Sequence, residues 1–115
     1  MANTFKVVTK AGVTSADVIY TVASSTTTVV LGMMVGNTTT GQITATVTLT
    51  SDTSNRAGAN NEANQDVELI TTTPIPGNSS LELLSGNKVV METTDTLSVT
   101  GTGATDVALS VMEIT

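Results

Sequence analysis

The groups in this chain with any capacity for acid–base or ligand chemistry are ten carboxylates: Asp17, Asp52, Glu62, Asp66, Glu68, Glu82, Glu92, Asp95, Asp106 and Glu113. Two carboxylates facing one bond at about 5–9 Å would suit glycoside hydrolysis. Most of the ten fall at predicted strand ends or turns, where they are ordinarily solvated. One Phe, one Tyr and no Trp leave little to line a sugar cleft. Histidine and cysteine are absent, which removes the usual general base, the thiolate nucleophile and the base of a serine triad together. Asp52, Asn60, Glu62, Asp66 and Glu68 offer oxygens to calcium, but not in the Asp-x-Asp-x-Asp-Gly order of a calcium loop. Gly32-Met33-Met34-Val35-Gly36 lacks the Lys-Ser/Thr of a phosphate loop. The residues therefore predict no catalytic site, no cofactor and no metal, and a protein that is not an enzyme.

Charge narrows the partners. Four basic residues against ten acidic ones give a net charge of −6, and Lys6, Lys10, Arg56 and Lys88 form no cluster. This disfavours the phosphate contacts on which nucleic-acid binding depends. No apolar run approaches the roughly 18 residues of a membrane span, and Met1 to Lys6 carries no basic region followed by an apolar stretch. The expectation is a soluble protein without an export signal, made in a cytoplasm and bound to neither membrane nor nucleic acid.

The elements that must carry any functional surface are strands. Threonine occurs 25 times, often alternating with Val, Ile, Leu or Ala. Its branched carbon suits a pleated sheet and its hydroxyl a wet face. Gln42 to Ser51 reads QITATVTLTS, apolar and threonine in strict alternation, a strand with one buried face. Asp106 to Ile114 alternates Val107, Leu109 and Val111 with Ala108, Ser110 and Met112, and its two fairly apolar faces place it centrally. Thr27 to Val35 is nearly all apolar, which predicts a strand buried on both faces, with Gly32 marking a bulge or a close backbone approach. Shorter strands are predicted at 5–9, 17–22, 67–72, 80–84, 88–92 and 96–100. Turns separate them at 74–78, 85–87 and 101–103, with Pro76-Gly77 suited to the middle of a type II turn. The prediction is one domain over residues 1–115: all-β, an antiparallel β-sandwich of about eight to nine strands, jelly-roll or Ig-like.

Residues 51–66, SDTSNRAGANNEANQD, are polar and do not alternate. They read as a hairpin tip, or as a surface helical turn around Asn61 to Gln65, or as a contact loop meeting a partner through Asn55, Arg56, Asn60, Asn61 and Gln65. Phe5 and Tyr20 read as core anchors. Met33, Met34, Met91 and Met112 read as core filler, although alternation puts one of Met33 and Met34 on the outer face.

The opening MANTFK, the strand Val18-Ile19-Tyr20-Thr21-Val22 leading to TTTVVLGMMVGNTT, the segment PIPGNSSLELLSGNKVV with an acidic turn near Asp95, and the ending LSVMEI occur in an order with a likeness. Nearly the whole chain resembles the small virion structural proteins of tailed bacteriophages, particularly marine and cyanobacterial ones. It departs from them in Ala23-Ser24, where a proline usually follows the Tyr-Thr strand, and in an enlarged 51–66 segment. The resemblance implies a non-enzymatic virion component on head, neck or tail, with a head decoration (cement) role favoured. Its implied partners are the major capsid protein or neck and tail components, and further copies of itself, a trimer being the expected unit. The rival reading is a fibre-tip module binding a host-surface carbohydrate, which would want Tyr20 exposed beside a groove.

Overall fold

The computed structural model describes residues 2–52, 64–84 and 87–115. Among these residues every regular element is a strand: β1 (Asn3–Val13), β2 (Asp17–Thr21), β3 (Thr27–Asn37), β4 (Ile43–Ser51), β5 (Gln65–Ile75), β6 (Ser80–Leu83), β7 (Val89–Met91), β8 (Thr96–Gly101) and β9 (Thr105–Ile114). Each predicted strand is present, and β1 and β5 run further than alternation indicated. β5 continues through Pro74 because it lies at a sheet edge, where a missing N–H leaves no ladder partner unpaired.

The pairing is nested: β1 with β9, β2 with β8, β3 with β6 and β7, and β4 with β5, all antiparallel. A long hairpin of this kind, rolled up, brings β9 against β3 and β8 against β4. Two sheets result, β1-β9-β3-β6 with β7 also on β3, and β2-β8-β4-β5. Of the two predicted sandwich types, this order is the jelly roll. The first sheet is called sheet A below and the second sheet B.

The core lies between the sheets. Val30, Met33 and Val35 of β3 and Leu109 and Val111 of β9 face Val47, Leu97 and Val99 of sheet B, with Ile75 and Met91 filling the ends. Each such side chain contributes about 1.5–3 kcal/mol by leaving water. The register between β3 and β9 slips between Val30 and Gly32, the bulge that Gly32 predicted. Without that extra residue the alternation of β3 would not bring both Val30 and Met33 inward.

At one end of the sandwich, the turn after β5 differs from its prediction. Ser79 N donates to Pro76 O at 3.2 Å, so Gly77 and Asn78 are the central pair, and Asn78 takes the left-handed conformation at φ 58°. Gly77 is needed for space, because a Cβ there would run into the Thr40 carbonyl and come within 3.0 Å of Gly41 N. Gly77→Ala is expected to cost about 2 kcal/mol, read as a lower urea midpoint at unchanged slope. Wild-type stability in that variant would mean that residues 38–41 yield freely.

Candidate interaction surface

In antiparallel sheets, paired residues share a face, so the registers fix what each sheet shows outward. On sheet A, Phe5 pairs with Met112, Met112 with Val29, and Val29 with Val90. These four apolar residues form one row across the whole outer face. Phe5 is 71% and Val90 59% exposed. The next row holds Val7, Ser110 and Gly32, and the one after it Thr9, Ala108, Met34 and Glu82. Shallow hollows of about 380 Å³ lie on either side of Met34, floored by small residues such as Gly32, Gly36 and Ala108. Glu82 is the charged residue of these rows and Asp106, in register with Gly36, falls in the row after them, so both sit towards one end.

This geometry corrects three expectations. β3 is buried on one face only: Thr28, Val30, Met33, Val35 and Asn37 are buried, whereas its other side is half-buried and Met34 is exposed. The reason is that the sandwich has two layers, and nothing in the chain's described residues lies over sheet A. Phe5 is not a core anchor, because the register with β9 puts Phe5 and Val7 outward and Lys6, Val8 and Lys10 on the inner side of an edge strand. The two lysines reach acids there, Lys6 Nζ to Glu113 Oε1 at 2.8 Å and Lys10 Nζ to Asp17 Oδ2 at 3.5 Å. Met33 and Met91 are buried, Met34 is the outward member of its pair, and Met112 is not core filler, because its register with Phe5 and Val29 places it on the outer face.

Sheet B presents a different surface. Thr46 pairs with Thr100, Thr48 with Ser98 and Thr50 with Thr96, so its outer face is coated with hydroxyls. The sandwich thus has one hydroxylated face and one apolar face.

Tyr20, buried as expected, spans the two sheets. Its single proton goes to the carboxylate, donated to Glu113 Oε2 at 2.5 Å, and the hydroxyl accepts from Thr28 Oγ1 at 2.7 Å. Burial first, and then the hydrogen bond to Glu113, push the Tyr20 phenol up to about 12. Lys6, and after it Tyr20, hold Glu113 below the usual carboxylate range. Asp95 is also buried and not a solvated turn carboxylate: it accepts from Glu92 N at 3.0 Å and Asp52 N at 3.1 Å, which ties the β7–β8 turn to the end of β4. Tyr20, Glu113 and Asp95 are therefore occupied in holding the sandwich together. Among the described residues no group of three or more acidic side chains is placed to hold a metal ion, and no helix is long and apolar enough to cross a membrane.

Of the predicted contact residues, Asn55, Arg56, Asn60 and Asn61 lie outside the described residues. Gln65 opens β5, exposed and in register with Ser51, so it belongs to a strand and not to a helical turn. The turn predicted at 85–87 also falls largely outside them, at 85 and 86. The apolar outer row was missed by sequence reasoning as a surface, although its strand β3 carried the signal of being covered twice.

No protein-family model matches the chain, and no curated protein matches it. A protein of the Bacillus endospore appendages, which form a novel family of disulfide-linked pili, is similar in fold: TM-score 0.51 at 16% identity, over 99% of this chain and 87% of that one. A chain of the T13 IBDV viral particle overlaps at TM-score 0.33 and 10% identity, over 96% of this chain and 35% of that one.

Proposed function

We propose that the chain is a non-enzymatic structural subunit of a virion, a decoration protein bound as an oligomer to the outside of a tailed-phage head. The observation that carries this reading is the uncovered apolar face of sheet A in a domain where Tyr20, Glu113 and Asp95 are engaged in the architecture. A protein built this way acts by being covered, by neighbours of its own kind or by a scaffold. The jelly roll is common in viral shells and in lectins alike, so the fold does not choose between them. The order of sequence elements resembling small phage virion proteins favours the shell. A carbohydrate-binding role loses support because Tyr20 is buried and not exposed beside a groove.

Mixing the purified protein with empty heads and with tails, prepared separately from particles that carry the chain, tests this. The expected result is stoichiometric co-sedimentation with heads. Binding to tails alone moves the proposal to a neck or tail accessory, and binding to neither overturns it. Spontaneous growth of long fibres would favour a pilus-like mode instead. Such fibres could not be disulfide-linked as the spore appendages are, because the chain has no cysteine.

A further inference from the structure

The geometry points to a second copy of this chain as what covers the outer face of sheet A, the two related by a two-fold axis lying between the faces and along the strands. Three observations lead there. First, β3 has the near-continuous apolar sequence of a strand covered on both sides, yet the fold covers one side. Second, the face is large enough. Four strands at about 4.8 Å spacing and about ten residues at 3.3 Å give roughly 600 Å² per copy, or roughly 1,200 Å² for a pair. That exceeds the ~1,000 Å² a specific interface needs. Third, the face matches itself. A two-fold along the strands reverses the order of strands and keeps each row in place. Phe5 of one copy then meets Val90 of the other, and Met112 meets Val29.

Charge agrees with this. A chain of net charge −6 repels its copies wherever acids meet, and this row and the Val7 row beside it contain none. A three-fold unit would need two different patches docking head to tail. This face supplies one patch that is its own complement, so the unit it builds is a pair and not the trimer expected from sequence.

Light scattering of the purified protein is expected to give twice the 11.7 kDa chain mass. Phe5→Glu is expected to give the chain mass with an unchanged far-UV spectrum, since residue 5 is exposed in the single domain. Thr48→Glu, on the hydroxylated face of sheet B, is expected to leave the pair intact. Cysteines supply the geometric test on a background that has none. Phe5→Cys with Val90→Cys in one chain should yield a covalent pair with a short thiol crosslinker. Either substitution alone should not, because like positions lie about 14 Å apart across the face. A monomeric or trimeric wild type, dissociation by Thr48→Glu but not by Phe5→Glu, or equal crosslinking of the single variants would overturn the proposal. The pairing does not depend on the particle: a pair that binds neither heads nor tails counts against the decoration reading alone.

Discussion

Asn37→Asp is expected to destabilise the domain by about 3–5 kcal/mol, a large share of the 5–15 kcal/mol that holds a domain of this size together. Asn37 ends β3 and is 3% exposed. Its amide nitrogen lies 2.8 Å from Gly41 O, 3.0 Å from Ile75 O and 3.1 Å from Pro76 O, so two N–H groups are shared among three carbonyls. Its amide oxygen accepts from Thr39 N and Thr39 Oγ1. One side chain thus fastens the β3–β4 loop to the turn after β5, the two connections that cross between the sheets at this end. Aspartate has nearly the same shape but replaces the donor with a charged oxygen facing three carbonyl oxygens. Repulsion and burial would raise the pKa of the introduced carboxyl above its unfolded value near 4. Its neutral form is then favoured in the folded state, so the deficit against wild type should shrink as pH falls through that raised folded value, where the carboxyl regains a proton to donate, and level off below about 4. Urea unfolding at pH 7 and pH 3 measures both parts. A variant within 1 kcal/mol of wild type at pH 7 would show that the three carbonyls are satisfied by something other than Asn37.

Asn37 also marks the boundary of what the sequence discloses. Strand positions, the bulge at Gly32 and the opposite fates of Met33 and Met34 are local properties: they follow from a period of two and its interruption. Asn37, in contrast, reads locally as a turn residue, since its partners Ile75 and Pro76 lie 38 and 39 positions away. The inward or outward choice on β1 is non-local as well. Phe5 and Val7 alternate with Lys6, Val8 and Lys10, so two faces are legible, but only the register with β9 says which one meets the core. An edge strand permits the unexpected choice, because lysine stems lie along its inner face while their ammonium groups reach acids at the rim. The apolar surface was hidden for the same reason. Double-sided apolarity in β3 and β9 reads as burial, and a sequence does not say whether the second cover comes from its own chain.

The polar link between the sheets gives the other large effect. Tyr20→Ala should cost about 4 kcal/mol, from the lost ring and the space it leaves, and Tyr20→Phe about 2 kcal/mol, because Thr28 Oγ1 and Glu113 Oε2 each lose a partner. Linkage distinguishes the hydroxyl's role from simple packing. With the folded phenol raised to about 12 and the unfolded one near 10, the folded state holds a proton that the unfolded state has released between those values. The stability Tyr20 contributes is therefore complete below pH 10 and declines, by up to about 1.4 kcal/mol per pH unit, as pH rises towards 12. Glu113 behaves oppositely: its pKa is depressed, so its contribution is present above the ordinary carboxylate range and is lost as pH falls through the folded value. Tyr20 is the chain's one tyrosine and there is no tryptophan, so tyrosinate absorbance reports this group alone. The native protein should titrate near 12, and the protein unfolded in urea near 10. Tyr20→Phe should remove the part of the alkaline stability decline that Tyr20 causes while leaving the contribution of the Lys6–Glu113 ion pair at the acid end. A native midpoint near 10 would mean that the hydroxyl is not held between Thr28 and Glu113.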